Sequence, residues 1–176
     1  MQTKNSTAAT FHREDSRGEQ VVTVCLGQET YGIAIEDVES IVRWEPLTRL
    51  PRLPRFLAGL LPLRGQVIPV IDLRARLDLP AGESAGDRRI VIVRVQEATV
   101  GLIVDAVREV IRVEAGQIET KLPLISGLDA ESAAYLRGVA NLPQGFVILL
   151  ALTELLSTDE RTQLARLEAR ASAQAA

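Results

Sequence analysis

Two stretches of this chain repeat each other without a gap, and that restricts the available folds more than any single motif. Residues 21–42 (VVTVCLGQETYGIAIEDVESIV) lie over residues 90–111 (IVIVRVQEATVGLIVDAVREVI) at a constant offset of 69, from 90 − 21. Val22 and Val91, Val24 and Val93, Thr30 and Thr99, Gly32 and Gly101, and Val38 and Val107 are identical, and Glu36 falls on Asp105. A looser match sets residues 59–73 (GLLPLRGQVIPVIDL) over 138–152 (GVANLPQGFVILLAL). Each half thus offers a hairpin, a linker and another hairpin. Two copies are too few for a solenoid. The repeat instead implies two similar β-lobes whose strands curl into barrels, closing edges that would otherwise invite aggregation.

Short β-branched runs separated by Gly, Pro or charged pairs recur from Gln20 onward: VVTVCLG, YGIAI, QVIPVID, RRIVIVRV, VGLIV and GFVILLAL. Helical signals are brief, at residues 36–42, 73–77 and 129–134, until the C-terminus. There the Ser157 to Glu160 spacing resembles a capping box, and Leu164, Leu167 and Ala171 keep one apolar face. A terminal helix is expected, either covering a sheet or docking a partner. Residues 1–18 lack any period and nearly all apolar surface, so they read as a disordered leader. The chain divides accordingly into this leader, a two-lobed domain over 19–156, and a C-terminal helix and tail over 157–176.

Little in the sequence suggests catalysis. The single histidine, His12, falls in the leader, so a triad or histidine-based metal site is not expected. Cys25 is the only cysteine and lies inside a strand among apolar neighbours, where it reads as structural. No phosphate-cradling GxGxxG or GxxxxGK pattern occurs, and no cofactor or metal is implied. A net charge of −3 leaves no excess of positive charge for a nucleic-acid backbone, and 3% aromatics offers few stacking platforms. The apolar runs are too short to cross a bilayer, and the start lacks a secretory pattern, so a cytoplasmic location is expected. One basic stretch, with Arg43, Arg49, Arg52 and Arg55 alternating with Leu and Pro, suits a solvated linker or a protein-contact edge.

At residues 59–77 (GLLPLRGQVIPVIDLRARL) the sequence resembles the signature of the CheW family of chemotaxis coupling proteins, carried by Gly59, Leu63, Arg64, Gly65, Pro69, Asp72, Leu73 and Arg74. The resemblance extends to Tyr31-Gly32, Pro54, residues 100–110 and residues 135–156, in order and at family spacing. It implies a mainly β fold of two five-stranded SH3-like barrels, which agrees with the repeat. It also implies a non-enzymatic adaptor that couples the cytoplasmic tip of methyl-accepting chemoreceptors to the regulatory domain of the histidine kinase CheA, recruited to membrane receptor arrays.

The same resemblance carries receptor contact to Val38, Gly59, Arg64, Val67 and Ile90. Kinase contact is carried more loosely to Ile118, Leu122 and Leu124. The residues alone leave other readings open: core packing for the aliphatics, a simple bend for Gly59 and an ordinary surface arginine for Arg64. Two departures from the family pattern bear on the receptor side. Pro62 replaces an asparagine before Leu-Arg-Gly, and Ser40 stands where many members carry a glutamate thought to face the signature arginine; Glu36 or Glu39 would have to turn inward to replace it. An adaptor of another receptor–kinase pathway is the near alternative, and a β-barrel nucleic-acid binder the remote one.

Overall fold

The computed structural model describes residues 18–80, 82, 86–120 and 133–174. The first half supplies β1 (Glu19–Leu26), β2 (Glu29–Ala34), β3 (Val38–Arg43), β4 (Leu57–Leu63), β5 (Gln66–Asp72) and helix α1 (Leu73–Arg76). The second supplies β6 (Arg89–Val95), β7 (Ala98–Val104), β8 (Ala106–Val113), β9 (Ile118–Glu119), β10 (Leu136–Leu142), β11 (Gly145–Leu150) and helix α2 (Thr158–Gln174). Two sheets result, ordered β8-β1-β2-β11-β10-β9 and β3-β6-β7-β5-β4. When each strand of the second order is replaced by its repeat counterpart, the first order appears, with β9 added. The duplication is therefore one of structure as well as sequence.

Even the irregularities repeat. The β1–β8 ladder shifts register between Val22 and Val24, and the β3–β6 ladder shifts between Val38 and Ser40, opposite the residues that match them. The β4–β5 pair bulges between Leu57 and Gly59, and β10–β11 bulges between Leu136 and Gly138. Such bulges bend strands enough for a sheet to close on itself. At the β1 bulge the lost ladder bonds are replaced by a side chain: buried Thr23 donates its hydroxyl to the Glu109 carbonyl (2.8 Å) and accepts from the Glu109 N–H (3.1 Å).

The halves do not fold side by side. Hairpin β1–β2 joins strands of the second half, and hairpin β6–β7 joins strands of the first, so each lobe is built from both halves. This exchange explains the composition of β6. Val91, Val93 and Val95 enter a core shared by both sheets, whereas Ile90 and Ile92 enter a core formed by the five strands of their own sheet. Burial on both faces calls for an unbroken apolar run. A corresponding cluster around Val21, Val113, Ala140, Val147 and Leu149 fills the other lobe. One sheet can bury residues from all its strands in one cluster only by wrapping round it, as an SH3-like barrel does.

One reading from the sequence is corrected. Residues 36–42 form only a 3-10 turn, Ile35–Asp37, before entering β3. Alternate residues of β3 are partly buried against β6, so the period there is two and not 3.6. Residues 129–132, read as helical, lie outside the described residues, as do residues 1–17 with His12. The capping box of α2 is formed: the Ser157 N–H donates to Glu160 (2.9 Å), and the Glu160 N–H donates to the Ser157 hydroxyl (3.1 Å). Leu164 anchors α2 in the shared core with Leu167 packed against it, so the helix covers the sheets as it crosses them. No helix among the described residues is long and apolar enough to cross a membrane.

Candidate partner-docking face

The segment that carries the sequence signature folds as hairpin β4–β5 followed at once by α1. Leu63 pairs with Gln66, leaving Arg64 and Gly65 as a two-residue turn with φ of 49° and 78°. Positive φ at both positions is the type I′ geometry that matches strand twist, and it is usually met by Asn-Gly. Arginine in the first position carries a Cβ penalty of about 1 kcal/mol. Arg64 is exposed, and among the described residues no hydrogen bond or ion pair engages it. Pro62 is accommodated because of where it lies on this edge. The Leu60 N–H and carbonyl bond Thr48 on the outer side of β4 (2.8 and 2.9 Å), and Pro62, two residues on, turns its missing donor the same way.

The next residues of the signature hold the fold together. Asp72 caps α1 by accepting from the Arg74 and Ala75 N–H groups, and Leu73 is fully buried. Arg74 donates through Nε (3.1 Å) and Nη2 to Asp105, between β7 and β8, and through Nη1 to the Pro80 carbonyl (2.7 Å). Asp105 also accepts from the Gly27 N–H in the β1–β2 turn (2.6 Å), which ties the two lobes. The Arg74 bonds, assisted by the Gly27 N–H, hold the Asp105 carboxyl below its usual range despite partial burial.

A depressed folded-state value means stabilisation that is present above the unfolded pKa, near 4, and is lost as pH falls through the folded value. The stability gap between the wild type and Arg74→Ala is therefore expected to be full above about pH 5 and to close toward pH 3. Urea midpoints measured across that range check it. A gap independent of pH would show that Arg74 stabilises by packing alone.

Arg76 makes a second tie. Its Nε donates to the Leu155 carbonyl (2.9 Å), and Nη1 (2.9 Å) and Nη2 grip Glu160 at the start of α2. The guanidinium also lies over the Phe56 and Tyr135 rings, 5.6 and 5.3 Å from their centroids. Burial pushes the Glu160 carboxyl up, but its bonds from Arg76 and from the Ser157 N–H hold it below its ordinary value.

The residues expected at a receptor face fall into three groups. Gly59, Arg64 and Val67 share the β4–β5 hairpin, with Val67 partly buried and Arg64 exposed. Gly59 is buried under Leu47, whose Cβ lies 2.6 Å from where a Cβ at Gly59 would stand, so its lack of a side chain admits the Leu47 segment. Val38 is on β3, at the far end of the strand order, partly buried against the shared core. Ile90 is completely buried inside the lobe, packed with Leu61, Ile68 and Val70. Its side chain supports the face from beneath.

Neither acid expected near Arg64 bonds it among the described residues: Glu39 instead accepts from Arg94 at 3.0 Å. Ile118, expected at the kinase side, begins β9 and packs against the core of the other lobe. Leu122 and Leu124 lie outside the described residues. Sequence reasoning missed Leu50 and Arg170, which line one cavity with Pro62, Val67 and Leu167. Only the apolar face of the terminal helix and the basic stretch hinted at them.

Comparison with known proteins agrees with this architecture. The family model described as CheW-like domain matches residues 20–160. Chemotaxis protein CheW of Treponema pallidum is 34% identical over 152 residues, covering 84% of this chain and 88% of that protein. Protein FrzA of Myxococcus xanthus is 32% identical over 143 residues, covering 80% and 87%. The crystal structure of scaffolding protein TtCheW from Thermoanaerobacter tengcongensis superposes with a TM-score of 0.72 at 34% identity, covering 81% of this chain and 95% of that one.

Proposed function

The chain belongs to the CheW-like family of scaffold proteins, and from that premise we propose that it is a non-enzymatic adaptor coupling the cytoplasmic tip of methyl-accepting chemoreceptors to the histidine kinase CheA. It works in the cytoplasm, recruited to receptor arrays. Receptor contact falls to the β4–β5 hairpin through Arg64 and Val67, with Val38 and Gly59 shaping the face and Ile90 supporting it. Kinase contact falls to Ile118 on the other lobe and to Leu122 and Leu124, which follow it in the sequence. Holding two partners at once raises their effective concentration and lets one bias the conformation of the other without chemistry.

The observation that carries the receptor side is Arg64 itself. A residue that costs stability in its turn and makes no bond among the described residues is explained by an acceptor on a partner. Arg64→Asn separates the two roles, because Asn suits the turn and lacks the guanidinium. It is expected to raise stability by about 0.5–1 kcal/mol while weakening receptor binding by about tenfold. Thermal melts and calorimetric titration against a receptor-tip fragment measure both. Unchanged affinity would remove Arg64 from the receptor face.

The departures at Pro62 and Ser40 favour one second reading, in which the same adaptor serves another receptor–kinase pathway. Pull-down from the native cell extract, identifying the kinase that is retained, distinguishes the two.

A further inference from the structure

A cavity of about 540 Å³ opens beside the hairpin, with three walls: residues 48–52, strands β4 and β5, and the last turns of α2. Its apolar lining includes Leu50, Leu60, Pro62, Val67, Leu167 and Ala171. Among the described residues the charged lining is Arg52 and Arg170, one from each of two walls, while Glu97 and Glu168 line an adjoining cavity that shares Val67 and Ala171. Both arginines are exposed, and among the described residues neither has a hydrogen bond or ion pair. In a chain whose net charge is −3, an apolar cleft whose own described lining carries two uncommitted arginines is a local reversal of sign, bounded on its far side by Glu97 and Glu168. Arg52 is also held at φ 63°, where a side chain with a Cβ is disfavoured.

We infer that this cavity takes the apolar ridge of an amphipathic helix carrying carboxylates along its flanks, with α2 serving as one wall of the groove. The inference rests on the reading of the hairpin as a receptor-docking face and adds the partner's charge pattern and the participation of the chain's own C-terminal helix. Charge complementarity selects acidic residues on the flanks that face Arg52 and Arg170, since the two arginines repel a basic flank and favour an acidic one.

The edge of β4 selects a helix over a strand. Thr48 already occupies Leu60 on that edge, and Pro62 has no N–H to offer an added strand. The first half of α2 is fixed by the Arg76–Glu160 pair and by Leu164, which sets the direction in which Leu167 and Arg170 run along the cleft.

The test uses the full chain and a purified hairpin-tip fragment of the receptor from the same organism, titrated at low and moderate salt. Arg52→Glu and Arg170→Glu are each expected to weaken binding by about tenfold and to flatten its salt dependence, and a carboxylate-to-lysine change on the fragment should restore part of the loss. Arg170 is exposed on a helix, so its variant keeps the test decisive if Arg52→Glu impairs folding. Deletion of residues 166–176, which keeps Leu164 and Glu160, should weaken binding likewise. Loss of affinity in Arg64→Asn with none in the Arg52, Arg170 or deletion variants would overturn the inference and leave the receptor reading standing. A wild-type chain that fails to bind the fragment would overturn both.

Discussion

Replacing Gly101 with alanine is expected to destabilise the protein by about 3 kcal/mol, lowering its melting temperature by roughly 6–12 °C. Gly101 sits where β7 meets β5 in parallel and β6 in antiparallel register. A Cβ there would stand 2.7 Å from Ile90 Cγ2 and 3.1 Å from Val70 Cγ2. Both obstructing atoms are branches on a Cβ, so neither can swing aside without leaving its rotamer. Ile90→Leu removes the nearer branch at similar volume and should recover part of the loss in the Gly101→Ala background.

The counterpart Gly32→Ala should cost about half as much. Its nearest obstruction, at 2.9 Å, is Leu149 Cδ2, the end of a flexible side chain. Urea denaturation of the wild type, Gly101→Ala, Ile90→Leu and the double variant yields the interaction energy. A Gly101→Ala chain within 0.5 kcal/mol of the wild type, inside the range of ordinary surface changes, would show that the lobe interior has slack.

Arg76→Ala is expected to cost about 3–4 kcal/mol. The side chains of Arg76 and Glu160 are only 13% and 20% exposed, and truncation removes the counter-charge of Glu160, leaving it the Ser157 N–H, together with the Arg76 contacts of the Leu155 carbonyl and the Phe56 and Tyr135 rings. Removing one member of such a pair is dearer than the pair's net contribution, because the other charge stays desolvated. The loss should be uneven. The sheets keep their own cores, whereas α2 loses its first-turn anchor, so helical circular dichroism should fall before the β signal on heating. Arg76→Lys keeps the charge but not the fork and should lie between the two. Coincident melting of helix and sheets at the wild-type temperature would show that Leu164 alone holds α2.

The same residues show how far the sequence could be read. The Ser157 to Glu160 box was legible because a cap is a local contract between residues three apart. The Arg64-Gly65 turn was placed by the family signature, but its left-handed backbone was not. The helix expected over residues 36–42 was misread because Val38 and Val42 suit a helical face as well as a strand. Only pairing with β6 decides between them. Ile90 was carried to a partner face by the family resemblance, with core packing left open, and its side chain is enclosed by Leu61, Ile68 and Val70, residues 20 or more positions away. Arg74 was legible only as part of the family signature and Arg76 carried no signal, because their partners Asp105 and Glu160 lie far along the chain.

What the sequence determined by itself was periodic and local: the strand runs, the terminal helix with its cap, and the offset of 69 that sets Gly32 on Gly101. These survive without knowledge of partners because backbone geometry alone dictates periods of 2 and 3.6. What only the tertiary structure decided was partnership. Nothing in the repeat says that β1–β2 leaves its own half to close the lobe of the other, since the two halves offer chemically equivalent edges. The exchange puts both faces of β1, β2, β6 and β7 out of water, one in a lobe and one in the core the lobes share. It also brings α2 against the β4–β5 hairpin, where Arg170 and Val67, more than a hundred residues apart, come to line one cleft.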